Sequence, residues 1–161
     1  MYGILAWGNA SQAALNQSTR LQKRAIRIVN KASYRCHTEP LFKSSNVLTI
    51  NDLYEQQVAL FMFDFLHGRL PLSFDNMFKF NHDINPRYMT RQCNQLYIPR
   101  ARLSFTSKLP SSHFPRIWNK WSNLLQPNMS KNTFRNRIKQ QMLSSYANRI
   151  KCSSANCQDC K

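Results

Sequence analysis

The chain has 161 residues, of which 42% are hydrophobic and 12% aromatic. This composition excludes a wholly disordered polypeptide and allows one ordinary domain core. Lysine and arginine number 23 against 7 aspartates and glutamates, which gives a formal net charge of +16. Because solubility alone does not require so much charge, we expect an anionic partner.

The sequence predicts no membrane span. Its longest apolar run, Val58 to Phe63, ends at Asp64 and falls far short of the roughly 20 residues that a membrane helix requires. The first residues also lack the basic region of a secretory signal. We therefore expect an intracellular protein, cytoplasmic, nuclear or both, whose five cysteines are reduced thiols.

Residues 18–43 form a basic segment in which Glu39 is the single acidic residue. Ser18 is a suitable N-cap, and Leu21, Ala25 and Ile28 recur at helical spacing. The pattern predicts an amphipathic helix that packs this apolar side and exposes a basic one. The basic residues here that we expect to bind nucleic acid are Arg20, Lys23, Arg24, Arg27, Lys31 and Arg35.

Residues 51–68 are the most apolar part of the chain. They begin with acidic residues in the first turn and end at Gly68, which predicts a buried central helix. Large aromatic side chains with apolar neighbours usually belong to the core. We expect this of Phe61, Phe63, Phe65 and Trp118.

From Ile84 to Gln158 the chain carries 13 basic residues and no carboxylate. No salt bridge within this segment can neutralise them, so a partner must supply the negative charge. Ser130 can cap a helix with apolar residues at every fourth position from Phe134 to Ile150. The basic residues of its opposite side, which we expect to bind nucleic acid, are Arg135, Arg137 and Lys139.

Prolines at positions 86, 99, 110, 115 and 127 predict an irregular middle with at most a short β-hairpin in residues 95–107. Tyrosines near arginines in this segment are typical of a surface on which bases of a single strand stack. They are Tyr88 with Arg87 and Arg91, and Tyr97 with Arg100 and Arg102. The alternative, in which both tyrosine rings pack in the core, is open.

The sequence shows no recognisable catalytic site. Two-metal catalysis needs carboxylates that converge on ions about 4 Å apart, and the seven acids are scattered along the chain. Only 3 glycines are present, which excludes the known phosphate loops. We therefore expect no enzymatic activity and no cofactor in this chain by itself.

Residues 151–161 are expected to form a disordered tail with three cysteines. Cys152, Cys157 and Cys160 offer three of the four ligands of a structural zinc site. Reduced cysteines are the favoured interpretation, and zinc is the alternative.

Seven short motifs follow one another along nearly the whole chain. They are YGILAWG at residues 2–8, LQKRAIRIV at 21–29, YRCHTEPLFK at 34–43, YMTR at 88–91, IPRAR at 98–102, WN at 118–119 and FRNRIK at 134–139. In this order they resemble the region after the polymerase palm in LINE-type, Jockey-like non-LTR retrotransposon reverse transcriptases. The LQKRAIR stretch is the most specific of them.

Two positions depart from the family's pattern. Met89 stands where the family usually has Asn, and Pro115 lacks the glycine that commonly precedes it. The family's catalytic Tyr/Phe-Ala-Asp-Asp element is absent, so we expect a fragment that begins after the palm. The resemblance implies a thumb that grips the template–primer duplex next to an upstream palm, whose polymerase would require magnesium.

Together these features predict a mainly α protein, a small helical bundle with amphipathic basic helices. We expect a thumb-like region at residues 1–83, a basic region at 84–150 and the tail at 151–161. The expected function is nucleic-acid binding through phosphates, to RNA, DNA or their hybrid. Two alternatives remain: an autonomous basic RNA- or DNA-binding protein, and a basic amphipathic module that binds membrane surfaces or other proteins.

Overall fold

A computed structural model describes residues 3–87 and 90–146. The chain is mainly helical, as expected for a small helical bundle. The described residues form eight α-helices, α1 (Ile4–Trp7), α2 (Gln12–Val29), α3 (Thr38–Ser44), α4 (Ile50–Leu66), α5 (Asn81–Ile84), α6 (Ser104–Ser107), α7 (Pro110–Trp121) and α8 (Lys131–Ser145), with 3-10 turns at Leu72–Phe74 and Ser122–Leu124. None of these helices is both long and apolar enough to cross a membrane.

The described residues divide into two compact units. Unit 1 comprises residues 3–54 and 136–146, and unit 2 comprises residues 55–87 and 90–135. The boundaries therefore fall inside α4 and inside α8. The functional division expected from charge, at residues 83 and 150, stays a prediction.

Helix α4 is the buried central helix that the sequence predicts. Val58 and Met62 are completely buried. At its start, the Thr49 hydroxyl accepts a 3.3 Å hydrogen bond from the Asp52 amide, which satisfies a first-turn donor. At its end, Gly68 has a φ of 62°, and the amides of Gly68 and Arg69 donate back to the last turn. This is the glycine stop that the sequence predicts.

A buried polar cluster holds the end of α8 against the start of α4 in unit 1. The Tyr146 hydroxyl donates to Asp52 Oδ2 at 2.6 Å and accepts from the Thr49 amide at 3.0 Å. Burial, with the hydrogen bond to Asp52, raises the pKa of Tyr146 to about 12 because both disfavour the ionised phenol. The cluster therefore fixes a neutral tyrosine in the core.

Aromatic rings form the core of unit 2. Phe63 stacks on Phe134 with ring centroids 5.5 Å apart, and Trp118 lies 5.8 Å from the same Phe134 ring. All three side chains are buried, which confirms the prediction for Phe63 and Trp118. Phe61 and Phe65 are only half-buried. The prediction that α8 buries every fourth residue is confirmed from Phe134 to Tyr146, and Ile150 lies outside the described residues.

The short hairpin predicted in residues 95–107, all of which the structure describes, does not form. A single antiparallel bridge joins Phe80 to Leu96. The Asn119 side chain pairs with both backbone groups of Leu96. It accepts a hydrogen bond from the amide at 3.0 Å and donates one to the carbonyl at 2.9 Å. An asparagine amide thus takes the positions that a neighbouring strand would fill.

The prediction of an irregular middle is wrong for residues 104–124, which form α6, α7 and a 3-10 turn. Pro110 is the first residue of α7, where a missing amide hydrogen carries no penalty. Pro115 lies inside α7 and is buried. Two of the five prolines from which the irregular middle was predicted therefore belong to a helix.

Candidate nucleic-acid interface

The N-cap of helix α2 lies seven residues before the predicted N-cap at Ser18. Ser11 is the N-cap, and its side chain accepts a 3.3 Å hydrogen bond from the Ala14 amide. The helix continues over 18 residues to Val29. The cations of the LQKRAIR motif therefore lie in the second half of a long helix.

The buried side of α2 differs from the prediction. Leu15 and Ile26 are the buried residues, whereas Leu21 is 61% exposed and Ile28 is 68% exposed. The expected packing of Leu21, Ala25 and Ile28 is therefore wrong. A row of apolar side chains instead lies on the exposed side of α2, next to Arg20 and Arg24, by the geometry of the helix.

Polar side chains hold the opposite side of α2 against the rest of unit 1. The Gln22 side chain donates to the Leu48 carbonyl at 2.9 Å and accepts from the Ile50 amide at 3.0 Å. The Asn30 side chain donates to Ser45 Oγ at 2.9 Å. These contacts tie the inner side of α2 to the C-terminal end of α3 and to the start of α4.

The end of α2 positions two side chains of the candidate site. Lys31 has a φ of 51°, and the amides of Lys31 and Ala32 donate to Ile28 and Arg27, which closes the helix in the manner usual for glycine. In the turn that follows, the Cys36 carbonyl accepts from Arg27 Nε at 2.9 Å. The Arg27 guanidinium also lies 6.0 Å from the centre of the Tyr34 ring.

A shallow groove of about 390 Å³ runs along this part of unit 1. Its lining combines cations, one aliphatic side chain and one aromatic ring, namely Arg20, Leu21, Lys23, Arg24, Arg27 and Tyr34. A second concavity of about 250 Å³ shares three of these residues and adds Ile28, Lys31 and Ala32. The predicted cations of α2 are therefore brought together around one surface, which we call the α2 groove.

The charge of the α2 groove is largely uncompensated. Lys23 Nζ lies 3.8 Å from Glu39 Oε1. Arg20 and Arg24 are exposed, and neither side chain forms an ion pair or a hydrogen bond with another described residue. Unpaired guanidinium groups around a concave surface attract anions, and each can donate two parallel hydrogen bonds to the oxygens of one phosphate.

Sequence reasoning did not identify Tyr34, which is 85% exposed in the α2 groove. The signal was present, because Arg35 follows it directly and Lys31 lies three residues before it. A tyrosine close to basic residues is the same pattern from which Tyr97 was predicted. Leu21 and Ile28 were also missed as surface residues, because apolar side chains at helical spacing were assigned to the core.

The remaining predicted site residues occupy several places. In unit 1, Arg35 is exposed and Arg137 and Lys139 are half-buried. In unit 2 the exposed ones are Arg87, Arg91, Tyr97, Arg100, Arg102 and Arg135. Tyr88, Cys152, Cys157 and Cys160 lie outside the described residues.

Several acidic side chains already have partners within the chain. Lys120 pairs with Glu55 at 2.6 Å, and Lys131 pairs with Asp64. The inference that a partner must supply the negative charge for every cation after residue 84 is therefore wrong for these two lysines, because carboxylates of α4, outside that segment, pair with them. Within residues 3–87 and 90–146, no group of three or more candidate ligands is arranged to hold a metal ion.

Comparison with known proteins identifies no relative. No family model matches the chain, and neither a curated protein nor a solved structure matches it.

Proposed function

We propose that the chain binds nucleic acid through sequence-independent contacts between phosphates and the cations of the α2 groove. The observation that carries the proposal is the convergence of Arg20, Arg24 and Arg27 on one concave surface that has little negative charge of its own. Arginine pairs with phosphate in a bidentate geometry. Such contacts position a nucleic acid without reading its sequence.

The sequence resemblance supplies the context of the proposal. A thumb that follows a polymerase palm must hold the template–primer duplex while it translocates, and phosphate contacts suit that task. Catalysis would belong to the palm, which would hold magnesium through its own carboxylates. The chain alone, supplied with magnesium, template, primer and nucleotides, should not extend a primer, and measurable extension would contradict this division of labour.

A second candidate is binding to an anionic membrane surface, which the exposed Leu21 and Ile28 beside cations favour. Membrane-surface helices present a broad apolar face that enters the lipid. In the α2 groove Leu21 shares a concavity with three arginines and Ile28 shares one with two of them, so we favour nucleic acid. Flotation with anionic vesicles, compared with a gel shift on RNA, separates the two candidates.

The proposal is tested by fluorescence anisotropy with labelled RNA, duplex DNA and an RNA–DNA hybrid. We expect little dependence on sequence and a steep dependence on salt. If the chain contacts four phosphates, its affinity for a duplex should fall by about 100-fold when the salt concentration is raised from about 50 to about 200 mM. Affinity that stays flat over this range would contradict the proposal.

A further inference from the structure

The α2 groove contains more apolar surface than a phosphate-binding surface needs. Tyr34 is 85% exposed, and Leu21 and Ile28 are each more than half exposed. Exposed apolar side chains that are gathered on one surface mark an interaction site, whereas isolated ones need no explanation. The lining therefore indicates a ligand that brings both negative charge and flat apolar faces.

Single-stranded nucleic acid is such a ligand. In a duplex the base faces are stacked inside the helix, and the outer surface offers phosphates, sugars and base edges. In a single strand the base faces are accessible and stack on aromatic rings between basic side chains. We propose that the α2 groove holds a single-stranded segment with one base stacked on Tyr34, an inference that rests on the proposed function.

The contacts around Tyr34 suit this arrangement. Arg27 lies on one side of the ring at 6.0 Å, and the exposed fraction leaves room for a base on the other side. Because Arg27 Nε is held by the Cys36 carbonyl, the guanidinium is fixed before the ligand arrives. From Arg20 to Val29, the last residue of α2, the helix rises about 14 Å, which accommodates a few nucleotides whose phosphates follow the cations.

The test compares Tyr34→Ala with Tyr34→Phe on a short mixed-sequence RNA and on the same strand annealed to its complement. Stacking of one base contributes enough that Tyr34→Ala should weaken single-strand binding by about 5- to 150-fold. Duplex binding should change little, and Tyr34→Phe should retain single-strand binding because the ring is kept. Phe105→Ala in α6 is the matched control, since Phe105 is also an exposed ring and should have no effect.

The outcomes separate this inference from the proposed function. Wild-type chain that binds neither strand nor duplex would overturn both. Normal salt-dependent binding with no loss in Tyr34→Ala, or an equal loss on strand and duplex, would overturn the stacking site alone. A loss equal to that of Phe105→Ala would also overturn it. Because the Tyr34 side chain is exposed, the melting temperature of each variant should equal that of the wild type, and circular dichroism checks this.

Discussion

Arg27 is bound to the turn that follows its own helix, because its Nε donates a 2.9 Å hydrogen bond to the carbonyl oxygen of Cys36. The same guanidinium lies over the Tyr34 ring. Substitution of Arg27 would therefore disturb the turn and the charge together. Arg20 and Arg24, whose side chains have no partner among the described residues, are the residues that isolate the effect of charge.

Lys31 combines a cation of the α2 groove with a backbone conformation that favours glycine. Its φ is 51°, so Lys31→Gly should raise the free energy of unfolding by up to about 1 kcal/mol. The same change should weaken nucleic-acid binding, because one cation is lost. Urea denaturation and anisotropy measure the two effects. Lys31→Gln is the control, which should lose binding without gaining stability, and equal stability of the two variants would contradict the account.

The contact between Tyr146 and Asp52 should contribute strongly to stability. Tyr146→Phe keeps the buried ring and removes a 2.6 Å hydrogen bond to a carboxylate, so we expect a loss of about 1.5–3 kcal/mol. Chemical denaturation at neutral pH measures it. A loss below about 0.5 kcal/mol would mean that the hydroxyl contributes little beyond what water supplies.

The same tyrosine should make stability depend on alkaline pH. Its pKa is raised from 10.0 to about 12 in the folded chain, so its contribution is complete below pH 10 and is lost as the pH rises towards 12. The stability difference between wild type and Tyr146→Phe should therefore shrink between about pH 10 and about pH 12. A difference that grows with pH would contradict the neutral, buried phenol.

Gly8, in the first motif of the chain, is required by close packing rather than by its backbone conformation. A Cβ atom there would lie 2.4 Å from a ring carbon of Tyr54 and 2.6 Å from the Ile4 carbonyl oxygen. Gly8→Ala should therefore destabilise the chain by about 1–3 kcal/mol. Gly3→Ala is the contrasting variant, because its Cβ would have space and only the φ of 64° opposes it. Thermal unfolding compares them, and a smaller loss at Gly8 would contradict this packing.

The sequence predicted the elements whose signal is local. Helix α8 follows from apolar residues at every fourth position and a suitable N-cap at Ser130, and α4 follows from its dense apolar stretch, its acidic first turn and the stop at Gly68. The side of α2 that faces inward could not be read in this way, because Gln22 and Asn30 hold it through partners 26–28 and 15 residues away. Polar residues that are buried by distant hydrogen bonds look like surface residues in a sequence.

The candidate site was also predicted only where its signal is local in the sequence. The cations of α2 were identified from their spacing, and the structure gathers several of them around one groove. Tyr34 carries the same signal as Tyr97, an aromatic residue beside basic ones, but its position beside Arg27 depends on the turn after α2, which helical periodicity does not predict. The pairs Lys120–Glu55 and Lys131–Asp64 were missed because 65 and 67 residues separate their members.

Binding of nucleic acid at the α2 groove is tested by the salt dependence of duplex binding for the double variant Arg20→Gln/Arg24→Gln. Glutamine retains helix propensity, and two lost phosphate contacts should lower the slope of log affinity against log salt by about 1.8. The matched control is Lys43→Gln/Arg116→Gln, which removes the same charge from two exposed helical positions outside the groove. We expect a clearly smaller change for the control, whereas equal changes in both variants, at unchanged melting temperature, would mean that the α2 groove is not the binding site.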